Sequence, residues 1–269
     1  MEITKDTILY FSGSGNSLQI AKDISSKLGE FNLINIGSLL NEKKIEVKAR
    51  TIGIVFPVYY ARMPLIVENV AKKLKISLDT YVFGIASHGG APANVLIRLD
   101  NKLKENGLGL NSGFLIHMPA NNVLAYNPKT PEKHNKTFDR EKEKVKKISA
   151  IIRERKSQKC EVSKLVIDRG IDKLFSKATN KIMNKLHEKD SEFWAKNNCN
   201  SCRICEKICP VNNIELKNNK PIWKHKCEQC TACIQYCPEK AIQFGTKTIN
   251  RNRYKNPNVS LNEMIIKNH

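Results

Sequence analysis

Residues 199–210 read CNSCRICEKICP, and 28 residues later the chain repeats the phrase as CEQCTACIQYCP at 227–238. Each copy is C-x2-C-x2-C-x3-C-P. A structural zinc site usually takes two separated pairs of ligands around one tetrahedral ion. Three cysteines at intervals of three do something else: the short loop wraps three corners of an iron–sulfur cube. The fourth cysteine, followed by proline, reaches the neighbouring cube. The crossed pattern assigns Cys199, Cys202, Cys205 and Cys237 to one 4Fe–4S cluster. Cys227, Cys230, Cys233 and Cys209 go to the second. Crossing makes the two cubes neighbours, so the repeat reads as an electron conductor. Eight of the nine cysteines are spent here, and in a reducing compartment such a cluster points to metal rather than disulfides. Cys160 has no partner at ligand spacing and reads as an ordinary thiol.

The rest of the 269 residues are ample for a further domain, and 41% are hydrophobic, enough for a core. No apolar run approaches the roughly 18 to 20 residues of a membrane span. MEITKDTILYF lacks the basic start and long apolar stretch of a signal peptide, so a soluble cytoplasmic protein is expected. The net charge of +20 is spread along the chain. Such a surface attracts acidic partners, but no Arg-rich or stacked-aromatic motif supports nucleic-acid recognition.

TILYFSGSGNSLQIAKDISSKL (7–28) opens with an apolar run, turns through two glycines and continues at helical spacing, with Leu18, Ile20, Ala21, Ile24 and Leu28 broadly on one face. A strand, a Gly/Ser turn and a helix N-terminus form a phosphate site by physical logic. Ser12, Ser14 and Ser17 offer hydroxyls there, with Gly13, Gly15 and Asn16 between them. No Walker lysine follows, and the turn is not G-x-G-x-x-G. Further strands are expected at 31–37, 51–56, 81–87 and 113–118, with helices from Pro64 through Leu74, at 91–106 and at 131–156. Five strands alternating with helices imply a doubly wound parallel sheet of the α/β class. Its ligand site should lie at the strand C-termini, in loops 12–17, 57–63, 87–92 and 118–123.

Two resemblances follow from these residues. Residues 195–245 resemble the bacterial two-cluster ferredoxin, a small α+β domain. FSGSGNS is similar to the FMN-phosphate loop of flavodoxins, and the likeness spans residues 5–155. It implies that PVYYARMP is a second flavin loop, with Pro57, Val58 and either Tyr59 or Tyr60 stacked on the ring. It makes SHGGAPAN the third, where Ser87, His88, Gly89 and Gly90 bring backbone to the flavin edge. Together with the tail RNRYKNPNV, the chain resembles the flavodoxin–ferredoxin fusion family of anaerobic metabolism. The implied layout is a flavodoxin-like FMN domain at 1–156, a helical connector at 157–194, a ferredoxin domain at 195–245 and a tail at 246–269.

The connector carries Ile167, Ile171, Leu174, Phe175, Ala178, Ile182 and Leu186 at helix spacing, and its apolar stripe is expected to dock on one module rather than on a membrane surface. Gly170 within it costs roughly 1 kcal/mol relative to alanine. The third flavin loop offers His88 but no tyrosine or tryptophan, so one flavin face needs other cover. The ferredoxin module, the tail with Arg253 and Tyr254, a partner protein or a substrate could provide it; an internal approach of a cluster is expected. The function implied is electron transfer between two 4Fe–4S clusters and FMN, exchanging electrons with redox partner proteins such as acidic carriers. The alternative is an FMN-dependent reductase of a small molecule fed by the clusters. No catalytic acid, nucleophile or further metal site stands outside the cofactor motifs.

Overall fold

The structure, a computed structural model, describes residues 1–29, 31–163 and 185–265. The first half runs β1 (Glu2–Ile3), β2 (Thr7–Tyr10), α1 (Asn16–Leu28), β3 (Asn32–Asn35), β4 (Ile45–Val47), β5 (Thr51–Pro57), α2 (Leu65–Ala71), β6 (Leu74–Ile76), β7 (Tyr81–His88), α3 (Val95–Lys104), β8 (Ser112–His117) and α4 (Asn135–Arg153). Five of these strands form one sheet in the order β3-β2-β5-β7-β8, every pairing parallel. The strands are apolar on both faces because both faces are covered. Leu9, Ile52, Ile54, Phe56 and Val82 turn toward Ile66 and Val70 of α2 and Leu96 and Leu99 of α3. Ile8, Val55, Phe83, Ile85 and Phe114 turn the other way, toward Ile20 and Ile24 of α1 and Val145 and Ile148 of α4. Period-two alternation in the strands thus sorts the side chains into two cores.

One element departs from the sequence expectation. The helix after Pro64 ends at Ala71, and Leu74 belongs to β6. With β1 and β4, β6 makes a second, three-stranded parallel sheet. Ile3, Ile45, Val47 and Leu74 join the first core. Its I-x-V and L-x-I alternations are too short to stand out beside a helical pattern.

The second half contains β9 (Phe193–Ala195), α5 (Ile204–Lys207), β10 (Ile214–Lys217), β11 (Lys220–Trp223), α6 (Ala232–Gln235), β12 (Ile242–Phe244) and, in the tail, α7 (Leu261–Met264). β10 and β11 form a hairpin, and β9 pairs antiparallel with β12. The expected connector helix falls mostly at 164–184, outside the described residues. Before it, the chain is extended along β8, with Gln158 and Glu161 donating to the Asn111 and Gly113 carbonyls, which covers a sheet edge. Among the described residues, no helix is long and apolar enough to cross a membrane.

The halves share a core. Ile208, Ala232, Tyr236, Val259 and Met264 pack into the same apolar cluster as α1 and α4. The small module is therefore seated on the sheet domain.

Candidate functional site: a cleft and two thiol-lined hollows

The strand order reverses between β2 and β5, and the crevice at such a reversal is where open α/β sheets bind ligands. The loops leaving β2, β5, β7 and β8 converge there on a cleft of about 370 Å³, within the ~300–1,000 Å³ typical of cofactor pockets. Ser12, Gly13, Ser14, Asn16, Ser17, Pro57, Val58, Tyr59, Tyr60, Ser87, His88, Gly89 and Gly90 all line it. Of the sequence-selected residues only Gly15 does not. It caps α1 with φ 96°, and its open side faces Asn256 and Val259 of the tail. A larger residue at 15 would therefore strike the tail.

The start of α1 suits an anion. No side chain caps its first turn and no acidic residue lies in it, so free N–H groups and the positive end of the helix dipole remain. Ser12 Oγ accepts from Gly15 N at 3.0 Å, and Ser17 Oγ meets Ser87 Oγ at 2.8 Å. Asn16 lines the cleft while its side chain bonds elsewhere. Its Nδ2 donates to the Pro119 carbonyl, and its Oδ1 accepts from Tyr254 Oη at 2.8 Å and Asn256 Nδ2 at 3.1 Å. That side chain is spent on tying the tail to the loop.

The second loop is a two-residue hairpin closed by paired backbone hydrogen bonds between Tyr59 and Arg62. Its central residues, Tyr60 and Ala61, take φ 51° and 59°, the left-handed pair a tight hairpin turn requires. The two tyrosines then part. Tyr60 is 40% exposed and donates to Gln229 Oε1 at 2.7 Å. Tyr59 lies edge-on to Phe11, and burial pushes its phenol well above the usual range. In the third loop, His88 Nδ1 donates to the Gly90 carbonyl at 2.6 Å, and burial holds its pKa down. It stands edge-on to His117. The fourth loop adds Met118, Pro119, Ala120, Asn121, Asn122 and Tyr126.

The remaining wall comes from the other module. Gln229, Cys230 and Thr231 line the cleft. A Cβ built on Gly13 would lie 2.3 Å from the Cys230 carbonyl oxygen, so these two backbones are in direct contact. The tail does not enter the cleft. Tyr254 and Asn256 brace the first loop from behind, and Asn256 N donates to the Ser14 carbonyl. Arg253 points back to the Ile242 and Thr248 carbonyls of its own module.

The cysteines separate into the two crossed sets. Cys199, Cys202, Cys205 and Cys237 line one hollow with Leu216, Pro221 and Ile242. Cys209, Cys227, Cys230 and Cys233 line another with Phe193, Ile214 and Trp223. The repeat is structural as well as sequential. Ser201 and Arg203 adopt left-handed backbone, as do Gln229 and Thr231, and short helices α5 and α6 follow in register. Such turns aim successive N–H groups inward, as anionic sites require. Asn213 N donates to Cys209 Sγ and Ala241 N to Cys237 Sγ, at 3.2 and 3.3 Å. Among the described residues no three donors gather as the shell of a single ion; a cube instead places each thiolate on its own iron. Burial pushes the Cys205 and Cys230 thiols up to about 12, and a coordinating thiol is deprotonated by the metal that it binds. The residues thus fit iron–sulfur groups. Cys160, packed on Gly113 and pushed up to about 11 by burial, lies outside both sets.

Comparison with known proteins bears on the small module. Residues 198–242 match the family of the 4Fe-4S dicluster domain. No curated protein gives a significant match to the chain. Among solved structures, a flavoprotein from Bacteroides uniformis is 16% identical over 54% of this chain and 97% of its own, with a TM-score of 0.37. The flavodoxin of Streptococcus pneumoniae TIGR4 is 13% identical over 55% and 99%, with a TM-score of 0.36. An FMN-dependent NADH-azoreductase from Bacillus anthracis, solved with FMN, is 11% identical over 56% and 99%, at 0.37. At this distance the strand order itself assigns the sheet domain, because β3-β2-β5-β7-β8 is the flavodoxin order 2-1-3-4-5 when its five strands are numbered along the chain. The chain thus joins a doubly wound sheet of flavodoxin-like strand order to a region at 198–242 that matches the 4Fe–4S dicluster domain.

Proposed function

We propose that the protein transfers electrons between two 4Fe–4S clusters and an FMN held in the cleft, within one chain. The observation that carries this reading is the shared wall: Cys230, in the inner thiol set, also lines the cleft. Iron–sulfur clusters pass one electron at a time, and a flavin holds one or two.

The protein supplies placement and insulation. The amide-rich start of α1, with Ser12 and Ser17, would hold the FMN phosphate. Tyr60, the more open of the two tyrosines, would cover one side of the ring, and the 229–231 segment would close part of the other. Buried apolar residues around both hollows limit solvent access, which helps set reduction potentials.

The outer set is the port to other proteins. Cys202 is exposed, whereas Cys209 and Cys233 of the inner set are buried. Ser201, beside Cys202, donates to the Asn219 carbonyl at the β10–β11 turn, and Lys217 and Lys220 face each other across that hairpin. An acidic one-electron carrier fits this basic rim. Replacing both lysines with glutamate should slow cluster reduction by a reduced acidic ferredoxin and weaken its salt dependence, while reduction by dithionite is unchanged. Equal rates from the acidic ferredoxin would place the port elsewhere.

Cofactor content tests the whole reading. Anaerobically purified protein should hold about eight irons and eight sulfides per chain, with one FMN. Protein that takes up zinc instead, or that fails to bind FMN under anaerobic reconstitution, would overturn it.

A further inference from the structure

Trp223 closes β11 opposite Ile214 and stacks on Phe193, with ring centroids 5.4 Å apart. Trp223 is among the residues that line the inner hollow. Its Nε1–H is buried and has no acceptor among the described residues. The contrast with Trp194 is direct: that indole is 40% exposed, yet its Nε1 donates to the Gly245 carbonyl at 2.8 Å. An indole nitrogen is a donor only, and leaving one buried and unpaired is costly. Such a group implies an acceptor that the described residues do not supply. An iron–sulfur cube held by these four cysteines would bring sulfide sulfurs to this hollow.

We propose that Trp223 Nε1–H donates a hydrogen bond to a sulfur of the cluster held by Cys209, Cys227, Cys230 and Cys233. This inference rests on the reading that this set holds a cluster. The bond strengthens as the cluster gains negative charge, so it favours the reduced state and raises the potential of the inner cluster. The outer hollow has Leu216, Pro221 and Ile242 in its wall and no indole. The two similar thiol sets are thereby made unequal, and Trp223 biases an electron toward the cluster beside the cleft. It acts as a tuning residue that neither ligates iron nor touches the flavin cleft.

The test is Trp223→Phe, which keeps a ring against Phe193 and removes the N–H. A redox titration followed by electron paramagnetic resonance should show the inner-cluster potential moving to a more negative value. The outer cluster and the iron count should not change, and Trp194→Phe should move neither potential. In unmodified protein carrying 15N-labelled tryptophan, pulsed resonance of the reduced inner cluster should detect one indole nitrogen and one exchangeable proton. An unchanged potential, or absence of that coupling in cluster-loaded protein, overturns the proposal. If wild-type protein holds no cluster on this set, the iron count is low and the underlying reading falls with it.

Discussion

Gly13 is where the two modules press together, so its replacement by alanine probes the junction directly. The new methyl would lie 2.3 Å from the Cys230 carbonyl oxygen and 2.8 Å from the Tyr59 hydroxyl, where ordinary contact begins near 3.4 Å. The nearest obstacle is backbone and cannot rotate away. One loop must therefore retreat by about 1 Å, and overpacking of this kind costs ~1–3 kcal/mol. Spent on the docked arrangement, that cost lowers its stability by ~5- to 150-fold. Gly13→Ala should keep its iron, because the cluster ligands are unchanged, and should slow flavin reduction after the clusters have been reduced. Stopped-flow absorbance on anaerobic protein measures this, with FMN and iron content determined on the same sample. A variant that retains both cofactors and reduces its flavin as fast as wild type would show that the Gly13–Cys230 contact is not on the electron path.

Cys209→Ser should deplete the cluster bound by Cys227, Cys230 and Cys233 and spare the other; selective loss of the cluster bound by Cys199, Cys202 and Cys205 would refute crossed ligation. Tyr254→Phe with Asn256→Ala removes both bonds to Asn16 Oδ1 and the Asn256 cap on Asn258 N, about 3 kcal/mol at ~1 kcal/mol each. Hydrogen exchange at residues 254–259 should then accelerate by up to ~100-fold, and FMN should bind more weakly although neither residue lines the cleft; unchanged exchange would mean the tail is held by other contacts. Glu141 is buried between α4 and α1, and desolvation, then repulsion from Asp23, raises it from the ordinary 4.5 to about 8. A raised carboxyl contributes stability that is full below pH 4.5 and is lost as pH climbs to about 8. Glu141→Gln should flatten that decline in urea titrations followed by circular dichroism, whereas an equally steep decline would rule Glu141 out as its source.

Chemistry-bearing residues were the legible part of this chain. Covalent ligand geometry forces the cysteine spacing, so both crossed sets could be written down from residues 199–238. The strand–turn–helix that borders the cleft was legible because strand, Gly/Ser turn and helix follow one another locally. What stayed hidden was long-range. Nothing near Asn16 announces that its amide will be claimed by Tyr254 and Asn256, which lie 238 and 240 residues away. Gln229 and Thr231 read as cluster-loop spacers, and their second role in the cleft follows only from the docking of the modules. The β1-β4-β6 sheet escaped notice because two- and three-residue strands carry almost no periodicity. An intervening x residue in a C-x2-C phrase that is neither ligand nor obvious core was the available hint for Gln229.

The central claim is that the flavin is reduced through the clusters of its own chain. The most direct measurement is the rate of flavin reduction after rapid reduction of the clusters, taken at a series of protein concentrations. An intramolecular path gives a first-order rate that is the same at every concentration. A rate that rises in proportion to concentration would show that another molecule serves the flavin, and that the contact between Cys230 and the cleft does not carry the electron.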